Sequence, residues 1–220
     1  MKEERVPFRA YRELENGEQI CVFGDPAEGG DYCAAVACSK KYYDFPLVFN
    51  ERMDSAQFGY EINSFCKYIF NQTKMWPKLA IERNTGQATI YVLKQLNYPD
   101  LFRMVDFAAT NSQEKGDIGW VTTGSWSGGE LIGTRRKMFD DFGLALKQGI
   151  LKLYDEDQIR QIMNMRRIHG GGRAPAAKKD DIAIATFGSW QVHLITPIQY
   201  LDDFNVEAFR KEQEKWRIGR

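Results

Sequence analysis

The chain has 220 residues with a formal net charge of zero, and 43% of its residues are hydrophobic and 27% charged. This balance is typical of a globular domain with a sizeable core. We find no run of about 18 apolar residues, which argues against a membrane span, and the N-terminus lacks the apolar segment of a signal peptide. We therefore expect a protein that works inside a cell, with no membrane partner.

The number and spacing of the cysteines argue against a structural zinc site. The chain has 4 cysteines and 2 histidines, and Cys21, Cys33, Cys38 and Cys66 form no CxxC pair. A structural zinc site needs more clustered ligands than these. We expect buried free thiols.

Three strands are predicted near the N-terminus, at residues 19–25, 31–38 and 45–49. Residues 26–30 have the composition of a turn. Turns this short imply antiparallel neighbours. Residues 1–18 are polar and are interpreted as a lead-in.

Helices and strands then alternate. Apolar residues at helical spacing predict a helix over 54–69, with Asp54 as its N-cap. A strand follows at 78–82, a helix opens at Gly86, and a further strand covers 101–105. Asn84 and Thr85 follow Glu82, where they could orient a substrate or cap the helix that opens at Gly86, and we favour capping.

The C-terminal half is predicted to be mainly helical. Residues 106–128 are rich in glycine, serine and threonine, and we interpret them as a flexible hairpin or loop. Ser127 and Glu130 form a capping-box pattern that predicts a helix over 130–147. A strand (150–153), a helix (155–167) and a last helix (180–193) follow. The predicted domain covers 19–197, and 198–220 is a charged tail.

These elements predict a mixed α/β fold, with three antiparallel strands followed by parallel strands and with helices on the sheet faces. A strand–helix–strand crossover makes its strands parallel. The strand at 78–82 can then lie beside the strand at 19–25, which places Asp25 and Glu82 side by side. Ligand sites in such sheets favour the C-terminal strand ends.

Acidic residues follow these strands and open the last helix. Asp25 ends an apolar strand and Glu82 ends another, Asp31 begins the strand after the turn, and Asp180 and Asp181 precede an apolar helix. A single acid in such a place is usually a turn or cap residue, and Asp181 alone is best explained as an N-cap. The joint pattern favours a functional cluster.

Carboxylates this close repel one another. Two unit charges about 4 Å apart cost about 4 kcal/mol at an effective dielectric of about 20. Protonation or a bound cation must relieve that repulsion, and hard oxygen ligands select Mg²⁺ or Mn²⁺. Two such ions can drive phosphodiester hydrolysis.

Four segments carry a family resemblance: 24–32 (Gly-Asp-Pro-Ala-Glu-Gly-Gly-Asp-Tyr), 81–86 (Ile-Glu-Arg-Asn-Thr-Gly), 119–122 (Gly-Trp-Val-Thr) and 179–185 (Lys-Asp-Asp-Ile-Ala-Ile-Ala). Together they resemble the nuclease domain of tailed-phage terminase large subunits, which has a ribonuclease H-like fold. The first two and the last resemble that family's three acidic motifs.

The resemblance implies a metal-dependent endonuclease that cuts double-stranded viral DNA during genome packaging, with two Mg²⁺ or Mn²⁺ ions. By motif position, Asp25, Glu82 and Asp181 resemble the catalytic, metal-binding triad, with Asp31 and Asp180 as auxiliary metal ligands. Related proteins often have histidine where Lys179 stands. The choice of Asp181 over Asp180 rests on the motif alone.

The resemblance also implies partners. Terminase large subunits carry an ATPase motor, and this chain has no GxxxxGK[ST] phosphate loop. We therefore expect a nuclease domain alone, part of a longer protein that meets an ATPase domain, a small terminase subunit and a portal in the host-cell cytoplasm.

DNA binding needs basic residues near the acids, although the net charge is zero. Residues 158–179 hold six basic residues and no acid. The predicted phosphate-binding residues are Arg83, Arg135, Arg136, Arg166, Arg167, Arg173, Lys178 and Lys179. Such contacts carry little sequence information, so we expect weak sequence preference and strong salt dependence.

Two alternatives remain open at this point. One is another ribonuclease H-like nuclease, either a junction resolvase or a nuclease acting on RNA–DNA hybrids. The other is a non-catalytic DNA-binding module of the same fold, which the three acidic motifs argue against.

Overall fold

The computed structural model describes residues 8–27, 31–105, 114–122, 126–127, 130–131, 134–168, 171–173 and 179–199. Most of the predicted excursion at 106–128, nearly all of the tail at 198–220, and Lys178 lie outside these residues. Within them, no helix is long and apolar enough to cross a membrane.

Short strands and five helices alternate along the described chain. The strands are β1 (Phe8–Ala10), β2 (Ile20–Asp25), β3 (Tyr32–Ser39), β4 (Leu47–Arg52), β5 (Lys78–Ile81), β6 (Arg103–Val105), β7 (Glu114–Ile118), β8 (Trp126–Ser127), β9 (Glu130–Leu131), β10 (Arg166–Ile168) and β11 (Gly171–Arg173). The helices are α1 (Ser55–Thr73), α2 (Gln87–Gln95), α3 (Thr134–Lys147), α4 (Glu156–Asn164) and α5 (Asp181–Ile195).

The central sheet has the strand order β1-β4-β3-β2-β5. The first four of these strands pair antiparallel, and β5 pairs parallel to β2 with Gly24 opposite Ile81. The prediction that the strand after the first long helix returns beside the first predicted strand is therefore confirmed. So is the mixed α/β fold class.

Each face of the sheet is covered by its own apolar layer. Along β2, Cys21 and Phe23 pack in the layer formed with α5 and α3, whereas Val22 packs in the layer formed with α1. The four cysteines are free and buried, as expected. Nearly all of α5 is buried because β2 and β3 lie on one side of it and α3 and α4 on the others.

The helix boundaries depend on local capping. Asp54 caps α1 as predicted, because its carboxylate accepts hydrogen bonds of 2.8 Å from the amides of Ala56 and Gln57. Lys74 ends α1 in the left-handed backbone region, with φ of 61°. The predicted role of Asn84 and Thr85 as caps of α2 is wrong, since Gly86 occupies the cap position without a side-chain bond.

The predicted start of α3 is also wrong. Ser127 and Glu130 do not form a capping box, because β8 and β9 pair antiparallel with Ser127 opposite Glu130. A Gly-Gly pair lies between the two strands in the sequence, and such a pair favours a tight hairpin. The helix therefore begins later, at Thr134.

Two further predicted elements differ from the structure. The helix predicted over 155–167 ends at Asn164, because β10 pairs antiparallel with β11. The strand predicted at 150–153 is reduced to one bridge between Lys152 and Asp44. In both cases the extent of the element was decided by pairing with another segment of the chain. Local hydrophobic periodicity carries no information about such pairing.

Residues 8–18, which were expected to be part of a polar lead-in, contribute to the sheet and its edge. Strand β1 pairs with β4. Arg12 lies 2.5 Å from the Glu18 carboxylate and 2.7 Å from that of Asp44, and both acids are almost fully buried. The guanidinium compensates two buried charges that would otherwise be costly.

A glycine sets how closely α5 approaches β2. A Cβ atom built on Gly188 would lie 2.3 Å from the Phe23 ring. Only glycine allows this separation of helix and strand. The close approach fixes the height of α5 above the strand that ends in Asp25.

We predict that Gly188→Ala destabilises the protein by about 1–3 kcal/mol, because overpacking displaces α5 from Phe23. The matched control is Gly143→Ala in α3, where an added Cβ would meet nothing within 4 Å. This control should stabilise the protein by about 0.5–1 kcal/mol, the helix-propensity gain of alanine over glycine. Urea unfolding measures both, and equal effects would contradict the close-packing explanation.

Candidate functional site

The C-terminal ends of β2 and β5 bring two carboxyl groups together. Asp25 is the last residue of β2, and Glu82 follows β5 directly. The Glu82 amide donates a 2.9 Å hydrogen bond to the Gly24 carbonyl, which continues the parallel pairing. The two side chains lie within hydrogen-bonding contact.

The loops that follow the two strands are tied to one another. The Thr85 hydroxyl donates a 2.7 Å hydrogen bond to the Pro26 carbonyl, and the Asn84 amide donates one of 2.7 Å to the Thr122 carbonyl. The Arg83 amide bonds to the carbonyl of Trp120, which is fully buried. Glu82 is therefore held between β2 on one side and residues 119–122 on the other.

Helix α5 adds two more acids from above the sheet. Its packing on β2 and β3 brings Asp180 and Asp181 close enough to act electrostatically on Asp25. Asp31 acts on Asp181 from the start of β3 and is itself exposed. Each of the five acids singled out in the sequence thus lies within electrostatic range of at least one other acid of the set.

Crowding changes how these acids hold protons. Burial, followed by contact with Glu82 and repulsion from Glu82, Asp181 and Asp180, raises the pKa of Asp25 well above its usual value. Burial, followed by repulsion from Asp180 and Asp31, raises the pKa of Asp181 to about 6. The charged groups that contribute most to the Asp25 pKa are all carboxylates, so negative charge is crowded around Asp25.

The donor chemistry of this cluster fits a hard divalent cation, because carboxylate oxygens are the ligands that Mg²⁺ and Mn²⁺ prefer. Among the described residues, no three potential ligands already form a complete site around one point.

The start of α5 is capped in an unexpected way. Asp180, not Asp181, stands at the N-cap position, and its side chain makes no capping bond. The Gln161 side chain in α4 instead accepts hydrogen bonds from the amides of Ile182 (2.9 Å) and Ala183 (3.2 Å). Capping therefore does not account for either aspartate.

Several predicted DNA-binding arginines make ion pairs near the cluster. Arg135 lies 3.0 Å from Asp180. Arg83 lies 2.6 Å from Asp117, whose side chain is 83% exposed, and Arg136 lies 3.3 Å from Asp140.

The remaining predicted basic residues lie around the start of α5 and on a hairpin. Arg166 is exposed at the start of β10, and Arg167 and Arg173 belong to the backbone of the β10–β11 hairpin. Strand β11 lies against α3. Lys179 is exposed, with its ammonium 3.0 Å from the centre of the Tyr32 ring.

Sequence reasoning missed two residues at this site. Tyr32 receives both Lys179 and Arg52, whose guanidinium carbon lies 5.1 Å from the ring centre. Its position directly after Asp31 was a usable signal. Gln161 gave none, because its role depends on the packing of α4 against α5.

Comparison with known proteins gives the same fold. No protein-family model and no curated protein sequence matches the chain. The large terminase nuclease from thermophilic phage G20c superposes with a TM-score of 0.62 at 10% identity, covering 86% of this chain and 90% of that chain. The Thermus phage P74-26 large terminase nuclease domain gives 0.56 at 12%, covering 86% of each.

The phage G20c nuclease has also been solved with bound magnesium, with a TM-score of 0.59 at 11% identity and coverage of 86% and 89%. Structures of it with bound cobalt and with bound zinc match as well. This chain therefore has the fold of the large terminase nuclease domains, a ribonuclease H-like fold, which confirms the fold that the motif resemblance predicted.

The raised pKa of Asp181 predicts how stability depends on pH when divalent cations are removed. Between its ordinary value of 3.8 and about 6 the folded state binds more protons than the unfolded state, so stability falls as pH rises through this window. Asp181→Asn removes the charge and should stabilise the protein at about pH 7.5 by about 1 kcal/mol, allowing for solvent screening. It should have little effect well below pH 3.8, where the carboxyl is protonated in both states.

Asp157→Asn is the control, because Asp157 also lies in the first turn of a helix but pairs with Arg160. Chemical unfolding in a chelator measures the effects. An Asp181→Asn variant that is less stable than wild type at the higher pH would contradict the crowding of charge.

Proposed function

We propose that this chain is a metal-dependent endonuclease that cuts double-stranded viral DNA during genome packaging by two-metal-ion phosphodiester hydrolysis. The observation that carries the proposal is the electrostatic crowding of Asp25, Glu82 and Asp181 beside the C-terminal ends of β2 and β5 in a terminase nuclease fold. Clusters of acids with strongly shifted pKa values are characteristic of functional sites.

In this proposal Asp25, Glu82 and Asp181 hold the cations, and Asp31 and Asp180 complete the ligand set. Oxygen ligands alone favour Mg²⁺ or Mn²⁺, and the magnesium-bound nuclease of phage G20c supports a divalent cation in this fold. When bound, two such ions supply an activated water and stabilise the leaving oxygen.

The chain's own residues place the DNA and the ligands. The bond between Glu82 and the Gly24 backbone fixes the spacing of the two strand-end acids. Lys179 directly precedes Asp180 and Asp181, and its ammonium lies over the Tyr32 ring. In this position it can bind a phosphate of the DNA next to the acids. Its flanking charge offsets part of the repulsion between the acids and the polyanion.

The arginines are available to phosphates despite their ion pairs. Ion pairs with exposed partners, such as Arg83 with Asp117 and Arg136 with Asp140, contribute only about 0–1 kcal/mol. A phosphate that offers a second oxygen to the guanidinium competes well with such a partner. The neutral net charge of the chain is therefore compatible with a basic DNA-facing surface.

The same proposal assigns the wider setting. The chain would act in the host-cell cytoplasm, beside an ATPase domain, a small terminase subunit and a portal. Residues 19–197 would form the nuclease domain.

Plasmid cleavage tests the acidic site. Asp25→Asn, Glu82→Gln and Asp181→Asn should each reduce cleavage in Mg²⁺ or Mn²⁺ by about 100-fold or more, because each removes a charged metal ligand. Asp157→Asn, a carboxylate in the first turn of α4, should cleave like wild type. Equal cleavage by wild type and the three site variants would refute the proposal.

The substrate arms of this experiment separate the alternatives. Four-way junctions and RNA–DNA hybrids are tested beside duplex plasmid. Cleavage of either one without cleavage of duplex DNA would favour another ribonuclease H-like nuclease. DNA binding without Mn²⁺ binding in calorimetry would favour a non-catalytic module.

Salt dependence tests the basic surface. Arg136→Gln and Arg166→Gln should each weaken binding to unrelated DNA sequences equally and reduce the salt slope by about 1. Lys67→Gln is the control, because Lys67 is exposed on α1, which covers the opposite face of the sheet. Fluorescence anisotropy across a salt series measures the slopes. A slope reduced only by Lys67→Gln would place the DNA on the other face.

A further inference from the structure

The helix that carries Asp180 and Asp181 is capped by another helix. In an ordinary helix start, the side chain at the cap position accepts hydrogen bonds from the second and third backbone amides of the helix. In α5 those amides belong to Ile182 and Ala183, and both donate to the Gln161 side-chain oxygen. Gln161 comes from α4, 20 positions before Asp181 in the numbering.

Asp180 is chemically well suited to do this work itself, since aspartate is among the best N-cap residues. Its backbone has φ of −132° and ψ of 6°, and its side chain makes no capping bond. One of its carboxylate oxygens instead lies 3.0 Å from an Arg135 nitrogen. The carboxylate therefore pairs with a residue of α3 and caps no amide of its own helix.

The same two amides cannot serve both acceptors at once with good geometry. With Gln161 in place, the Asp180 carboxylate has no orphan amides to bind and remains beside the acids of the cluster, where it acts on both Asp25 and Asp181. Without the Gln161 oxygen, the Asp180 carboxylate at the N-cap position is the acceptor that a helix start ordinarily uses for these amides. Buried amides rarely stay unpaired.

We infer that Gln161 is a positioning residue for the metal site, because it caps α5 in place of Asp180 and so keeps the Asp180 and Asp181 carboxylates available to a divalent cation. This inference rests on the proposed function. Gln161 touches neither the metal nor the substrate in this scheme and acts only through the two backbone amides.

Two variants separate the acceptor from the shape of the side chain. Gln161→Met keeps the length of the side chain and removes the acceptor, whereas Gln161→Glu keeps an acceptor oxygen. Calorimetric Mn²⁺ titration should show about tenfold weaker binding for Gln161→Met, the range found when residues that support metal ligands are changed. Gln161→Glu should bind Mn²⁺ at least as well as wild type within a few-fold.

The control is Tyr98→Phe. Tyr98 is buried and donates a 2.6 Å hydrogen bond to the Pro77 carbonyl, just before β5 and at the opposite end of that strand from Glu82. This variant also loses a buried hydrogen bond but should bind Mn²⁺ like wild type. Circular dichroism checks that all variants are folded.

A metal-free measurement tests the exchange of caps directly. Asp180→Ala removes no capping bond from the wild-type protein, but it removes the substitute cap from Gln161→Met. The drop in Tm caused by Asp180→Ala should therefore be larger in the Gln161→Met background than in wild type. Equal drops would overturn the inferred exchange.

The outcomes distinguish this inference from the proposed function. If the wild-type protein binds Mn²⁺ and the folded Gln161→Met variant binds it with the same affinity, the inference about Gln161 is overturned and the proposed function is not. Absence of Mn²⁺ binding by the wild-type protein would overturn the proposed metal site and, with it, the role assigned to Gln161. Tenfold weaker binding in Gln161→Met that Gln161→Glu restores would support both.

Discussion

The parallel pairing of β2 with β5 is the contact on which the whole site depends. It sets Gly24 opposite Ile81. The residues that come next along the sequence, Asp25 and Glu82, therefore lie at the same end of the sheet. Residues 119–122 hold the other side of Glu82 through backbone bonds between Trp120 and Ile81 and between Arg83 and Trp120. A rigid sheet can therefore hold two repelling carboxyl groups in contact, where a free loop would let them separate.

Helix α5 supplies the remaining acids under a second constraint. Gly188 lets the helix lie directly on the Phe23 ring, and the surrounding apolar layer buries most of its surface. Because packing fixes the helix along its length, its first residues cannot retreat from Asp25. The stability of this layer thus holds Asp181 at a place where its charge is unfavourable in the absence of a cation.

Charge is distributed so that the chain is neutral overall yet locally polarised. The acids gather at the ends of β2 and β5 and at the start of α5, while Arg135 pairs with Asp180 and Lys179 directly precedes it. A nuclease needs both signs at one site, since the metal requires carboxylates and the substrate requires cations. The pairing of Arg135 with Asp180 links the acidic and the basic residues and gives each of these two side chains a partner.

The sequence by itself determined the local features and the order of the acidic motifs. Short apolar runs indicated β2 to β5, Asp54 marked the start of α1, and the acids after apolar strands pointed to one site. Pairing with distant segments decided the rest: β8 with β9 moved the start of α3, and β10 with β11 shortened α4. The capping of α5 by Gln161 likewise exists only once α4 packs beside α5. The sequence around Gln161 and around Ile182 and Ala183 gives no local sign that a side chain of one helix caps the other.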